Sequence, residues 1–202
     1  MAFIETTPPV EADGDVRELY ERQEAHYGYV PNYAKVFCHR PEIMKLWSDL
    51  LSGIRRPLGK RRFELVTVAA SHALRSTYCS LAHGKALTEF FSADEVQAMV
   101  SDSETGPLSP AELAMVNLAR KVARDASSVT AADVSALKEH GITDAEIFDI
   151  VATAAARAFF SKLVEGLGAE ADSTFLALEE PLRETLTVGR PIDRLEPERM
   201  QE

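Results

Sequence analysis

Helix-start signatures recur along this sequence from Ser92 onward, and they constrain its fold more than any other feature. Ser92-Ala93-Asp94-Glu95, Ser109-Pro110-Ala111-Glu112 and Thr143-Asp144-Ala145-Glu146 each set a hydroxyl three residues before a glutamate. At that spacing the hydroxyl accepts from the third helical amide, and the glutamate reaches back to the cap residue's own N–H. Pro110 strengthens the second start, because the first helical position has no use for an N–H. Thr130-Ala131-Ala132-Asp133 is a weaker start of the same kind, and Gly141 is placed to stop the helix that follows.

Apolar spacing agrees with these starts. Leu113, Val116, Leu118 and Val122 follow Ser109 on one side, and Ile147, Ile150, Val151, Ala154, Ala155 and Ala158 line a long segment ending near Gly166. The alanines predict a close approach to another helix. Upstream, the stretch from about Gly59 to Leu74 carries the stripe Phe63, Val66, Ala70 and Leu74. Strand-like alternation is absent apart from the short Thr185–Val188. The chain therefore reads as all-α, a packed bundle of roughly eight to ten helices. One domain over residues 1–178 is expected. After it, residues 179–202 read as a charged arm with Pro181, Pro191 and Pro197, extended, and either mobile or wrapped on a neighbouring subunit.

Composition narrows the function. The net charge is −10, with 22 Lys and Arg scattered among 32 acids. Phosphate backbones need a basic patch, so nucleic acid is excluded as a partner. No apolar run is long enough to span a bilayer, and the first residues carry no signal-peptide pattern. The cysteines are Cys38 and Cys79 alone, which is poor material for a disulfide scaffold and points to a cytoplasmic protein with free thiols.

Ser76-Thr77-Tyr78-Cys79-Ser80-Leu81-Ala82-His83 is where chemistry concentrates. Residues four apart share a helical face, so Cys79 and His83 can meet. With Ser76 as N-cap, Cys79 takes the third helical position, where free amides and the helix dipole favour negative charge. A thiol is nucleophilic as thiolate, the form that such surroundings promote. The alternative is that Cys79 is a small core residue and His83 a packing histidine. Glu64 borders the apolar stripe of its helix and needs a partner if buried. On one continuous helix it would lie about 22 Å from Cys79. A Glu64–His83–Cys79 relay therefore requires a chain reversal around Arg75–Thr77, where no glycine or proline enforces one. His72, two turns beyond Glu64, is a secondary candidate.

The set Glu64, Ser76, Cys79 and His83 resembles the alkylhydroperoxidase D-like (AhpD-like) and carboxymuconolactone decarboxylase family. Members of that family carry a glutamate and, twelve residues later, a Cys-x-x-Cys-x-x-x-His. Tyr78 before the second cysteine is also common there. Tyr27-Gly28-Tyr29-Val30-Pro31-Asn32 with Arg40-Pro41-Glu42, Val129 to Ile142, and Asp144 to Gly168 resemble the peroxidase-related branch. Two departures stand out. Ser76 replaces the first motif cysteine, and Ser161-Lys162 stands where the branch usually has Asn-Arg.

The resemblance implies an AhpD-like helical bundle, a homo-oligomer, and a hydroperoxide or other small molecule as substrate. It implies Cys79 as nucleophile and Glu64 and His83 as proton relay, with Ser76 and Tyr78 in support and no cofactor or metal. Without a cysteine at position 76, peroxide attack leaves a sulfenic acid at Cys79 that an external thiol must reduce. Cys38 is an alternative resolving thiol. A second expectation is a decarboxylase-like lyase on a small carboxylated ring, with Glu64 and His83 as acid and base and a basic side chain nearby. A third is a non-enzymatic relic, or a zinc site of Glu64, Cys79 and His83.

Overall fold

The computed structural model describes residues 2–101 and 106–200. Among these, ten α-helices follow one another: α1 (Gly14–Tyr27), α2 (Asn32–Val36), α3 (Pro41–Leu58), α4 (Lys60–Ala73), α5 (Thr77–Leu87), α6 (Ala93–Ser101), α7 (Pro110–Asp125), α8 (Ala131–Glu139), α9 (Asp144–Gly166) and α10 (Glu180–Leu186). No strand occurs among the described residues; an isolated parallel bridge joins Ala171 and Ile192. The all-α expectation holds.

The cap signatures act as their spacing predicts. Ser109 accepts from Glu112 N–H while Glu112 returns to Ser109 N–H, and Thr143 pairs with Glu146 in the same reciprocal way. Ser92 and Glu95 repeat it at the start of α6. At Thr130, Asp133 accepts from the cap N–H at 2.7 Å. Gly141 closes α8 at φ 77°, with Gly141 N–H on Lys138 O and Ile142 N–H on Leu137 O, the paired bonds of a Schellman stop.

Helix α4 lies at the centre and packs against α5, α7 and α9. Every residue from Phe63 to Ser71 is buried, which a helix covered on all sides demands. Its neighbour α9 buries Ile147, Ile150 and Ala154 as expected, whereas Ala155 faces outward. Glu64 sits within the buried run of α4, so a carboxylate is held inside the bundle.

The segment after Glu179 departs from the expected extended arm. Residues Glu180–Leu186 are helical, and Leu182 and Leu186, four residues apart, are buried. An apolar stripe on so short a helix has to be covered, and α5 and α6 of the same chain cover it. Of the strand-like Thr185–Val188, Thr185 and Leu186 end this helix and Thr187 caps it. Farther on, Gly189 N–H donates to Thr77 Oγ1 at 2.7 Å, Asp193 N–H to Ala171 O at 2.8 Å, and Glu198 O accepts from Val30 N–H at 3.0 Å. The expected arm's last two residues, 201 and 202, lie outside the described residues.

Candidate thiol site

The reversal that the relay requires is made by Arg75. It adopts φ 58°, the left-handed conformation normally left to glycine. Arg75 N–H donates to His72 O and Ser76 N–H to Ser71 O, both at 3.0 Å. This is the same Schellman stop that Gly141 makes on α8, with an arginine in the glycine's place. It turns α5 back against α4, so Glu64 and His83 meet although 19 residues separate them.

His83 Nδ1–H donates to Glu64 Oε2 at 2.6 Å. Burial alone pushes the Glu64 carboxyl up, but the attraction and hydrogen bond of His83, with the charges of Arg55 and Arg157, outweigh it and hold the group below its ordinary value. Glu64 is therefore ionised. Burial is the main force pushing His83 below the usual imidazole range, Arg157 adds to it, and Glu64 opposes. The ring is thus neutral near pH 7. Because Glu64 occupies Nδ1–H, Nε2 is left as an acceptor, on a side chain 19% exposed.

Cys79 is the third residue of α5 and is 2% exposed. Its sulfur does not hydrogen-bond to His83. The partner is Arg157 of α9, whose Nη1 donates to Sγ at 3.6 Å. Arg157 is itself 3% exposed and lies against two aromatic rings, Trp47 at 5.5 Å and Phe160 at 5.4 Å. Its Nε has no partner. The sequence reading missed this residue, since nothing local distinguishes Arg157 within its helix. The signal available was one arginine in a run of apolar and alanine positions, Ala154 to Phe160.

The supporting candidates disperse. Ser76 stands at the N-cap of α5, but its side chain caps nothing; the hydroxyl lies beside the Glu165 carboxylate without completing a hydrogen bond. Tyr78, next to Cys79 in α5, donates to Asp172 Oδ2. Asp172 also accepts from Asn32 N–H at 2.9 Å and from Tyr29 at 3.4 Å. His72 faces Thr185 and the charges of Arg120 and Arg124. Cys38 is a free, buried thiol that accepts from Thr7 N–H at 3.5 Å. Among the described residues no three His, Cys, Asp or Glu side chains are grouped to hold a metal, so Glu64, Cys79 and His83 do not form a zinc set. A cavity of about 410 Å³ lies between the N-terminal residues, Lys35, Asp172 and Glu196–Glu198, and touches neither Cys79 nor His83. No helix of the described residues is long and apolar enough to cross a membrane.

Residues 41–121 match the sequence profile of the carboxymuconolactone decarboxylase family. Over that stretch the chain is similar to the family. The match contains Glu64, Ser76, Cys79 and His83, while Arg157 lies beyond it. The fold is AhpD-like. It is similar to a peroxidase-related protein of Ralstonia eutropha JMP134, described as an alkylhydroperoxidase AhpD core, at a TM-score of 0.78 and 23% identity over 94% of this chain and 98% of the other. A peroxidase-related protein of Silicibacter sp. TM1040 gives 0.72 and 21% over 87% and 98%. The debrominase Bmp8, solved as a cysteine-to-alanine variant with 2,3,4-tribromopyrrole, gives 0.68 and 14% over 92% and 98%. No curated protein matches the chain.

Proposed function

We propose that this chain is a one-cysteine thiol peroxidase that reduces hydroperoxides through Cys79. The observation that carries the reading is the Glu64–His83 pair at 2.6 Å, whose histidine stands one helical turn from Cys79 on the same helix. A buried carboxylate fixed to Nδ1 leaves a neutral imidazole with Nε2 free, the arrangement of a general base. In the reaction His83 takes the hydroperoxide proton and the Cys79 thiolate attacks the outer peroxide oxygen. The O–O bond breaks as sulfur gives up two electrons, and the departing alkoxide regains the proton from His83. Cys79 becomes a sulfenate, which takes a proton from solvent to give the sulfenic acid. One external thiol converts it to a mixed disulfide with loss of water. A second thiol releases Cys79 and leaves as the external disulfide.

Hydroperoxide consumption with an added thiol, together with dimedone trapping of the sulfenic acid, tests the reading. The wild type is expected to turn over and to trap at Cys79, and Cys79→Ala to do neither. Turnover that survives Cys79→Ala overturns it.

Arg157 and Arg55, whose charges both reach Glu64 and His83, favour a second reading. It is a lyase that holds a small carboxylated substrate by these cations and uses Glu64 and His83 as acid and base. Carbon dioxide release from a carboxylated lactone, retained in Cys79→Ala, would select it.

A homo-oligomer accords with the apolar residues left outside. Leu46 and Leu50 of α3 and Phe148 and Phe159 of α9 are exposed, and Phe159 joins the two helices through Trp47 at 5.8 Å. Light scattering of purified protein reads the assembly. Two free cysteines fit a reducing compartment such as the cytoplasm.

A further inference from the structure

We propose that Arg157 is a catalytic residue that holds Cys79 as a thiolate, leaving His83 neutral and free to move protons. Its catalytic meaning rests on the peroxidase reading; its test does not.

A guanidinium stays protonated at any pH a protein tolerates, so a buried one needs a counter-charge. Among the described residues no carboxylate lies within ion-pair distance of Arg157. Trp47 and Phe160 offer ring faces, which orient the cation and soften its desolvation but carry no net charge. Glu64 lies close enough to feel Arg157, yet its Oε2 is committed to His83. Among the described residues, the one group in hydrogen-bond contact with the guanidinium that can become an anion is the Cys79 sulfur.

The other charged groups around the site divide consistently. Arg55 of α3 and Arg157 of α9 are cationic, Glu64 of α4 is anionic, and His83 of α5 is neutral. A thiolate at Cys79 brings the four groups and the sulfur to balance. The N-terminal turn of α5 adds its free amides on the same side, since Cys79 is its third residue. Ser76, in the position of the first motif cysteine, is buried beside Glu165 and brings no charge to the sulfur.

The experiment is alkylation of Cys79 by iodoacetamide, followed peptide by peptide by mass spectrometry so that Cys38 is scored apart. Replacing Arg157 by methionine removes the charge and keeps the bulk. Alkylation of Cys79 in Arg157→Met is expected to fall about tenfold or more near neutral pH, where the thiolate fraction governs the rate. The variant should rejoin the wild type at about pH 10, where thiols ionise unaided. Arg157→Lys, which keeps the charge, should restore much of the neutral rate. A lost packing contact would instead shift the rate equally at every pH. If Arg157→Met does not fold, Arg157→Gln carries the same test beside Arg157→Lys. Equal neutral rates in wild type and the uncharged variant overturn the assignment. So does a deficit that persists unchanged at high pH. A charge-dependent rate in a protein that consumes no hydroperoxide would leave Arg157 as assigned and remove the peroxidase reading.

Discussion

Tyr78 and Cys79 are consecutive, both buried, and both hold a polar group against a charged residue from far along the chain. Their surroundings differ in one respect. The Tyr78 hydroxyl donates to Asp172, and Asp172 also accepts from Asn32 and Tyr29, so the cluster has its hydrogen bonds made. Around Cys79 the bonds are incomplete. Arg157 Nε, Ser76 Oγ and Ser80 Oγ have no partner, and the sulfur has a single long contact. Satisfied buried networks lock a fold, whereas unsatisfied ones leave capacity for a reacting group at a cost in stability. Helix α5 thus presents a structural side and a chemical side, one residue apart.

The largest effect that can break this contrast lies on the chemical side. His83→Ala is expected to lower hydroperoxide turnover of the folded protein by roughly 10²–10⁴-fold, the ordinary worth of a positioned base, and to cost about 2 kcal/mol of stability because the buried Glu64 carboxylate loses its partner. A variant that loses stability instead of turnover would make His83 a packing residue.

Asp172→Ala tests the other side. It strips partners from Tyr78, Asn32 N–H and Tyr29, and should cost about 3 kcal/mol in urea unfolding. The neutral-pH alkylation rate of Cys79 in the folded variant should stay at the wild-type level. A parallel fall in that rate would show the two sides to be one network.

The pH response separates them next. His83 is held below the ordinary imidazole value of 6.5, so its base form persists below that pH. The acid limb of turnover should fall below pH 6.5. Stability follows from the same shift. The unfolded chain takes up the proton first, so stability declines as pH drops below 6.5 and levels once the folded His83 protonates. An acid limb at or above 6.5 would mean a solvated His83, and would remove the neutral base from the site.

Arg75→Gly is the smallest effect. Relieving a left-handed non-glycine residue should raise stability by about 1 kcal/mol in thermal melts, with turnover unchanged. A changed turnover would show that the Arg75 side chain, and not only its backbone, positions the thiol helix.

The legibility of these features tracks how local their causes are. The capping boxes at Ser109 and Thr143 were readable because cap and partner are three residues apart. The stop at Gly141 was readable for the same reason. The equivalent stop at Arg75 was not, because an arginine gives no sign of a left-handed backbone. Surrounding contacts, Gly189 against the Arg75 carbonyl among them, favour that conformation over the local preference. The helix after Glu179 was hidden by its prolines, and formed because α5 and α6 accept its leucines.

By itself the sequence determined an all-α chain, the positions of most helix starts, and the trio Glu64, Cys79 and His83 as candidates. Those depend on periodicity and spacing, which act over a few residues. Only the tertiary structure decided that Glu64 reaches His83, that Cys79 answers to Arg157 across 78 residues, and that Tyr78 belongs to Asp172 across 94. The physical reason is burial. A charge on a sequence is free to pair with water, and becomes obliged to find a partner only when the packed helices exclude it.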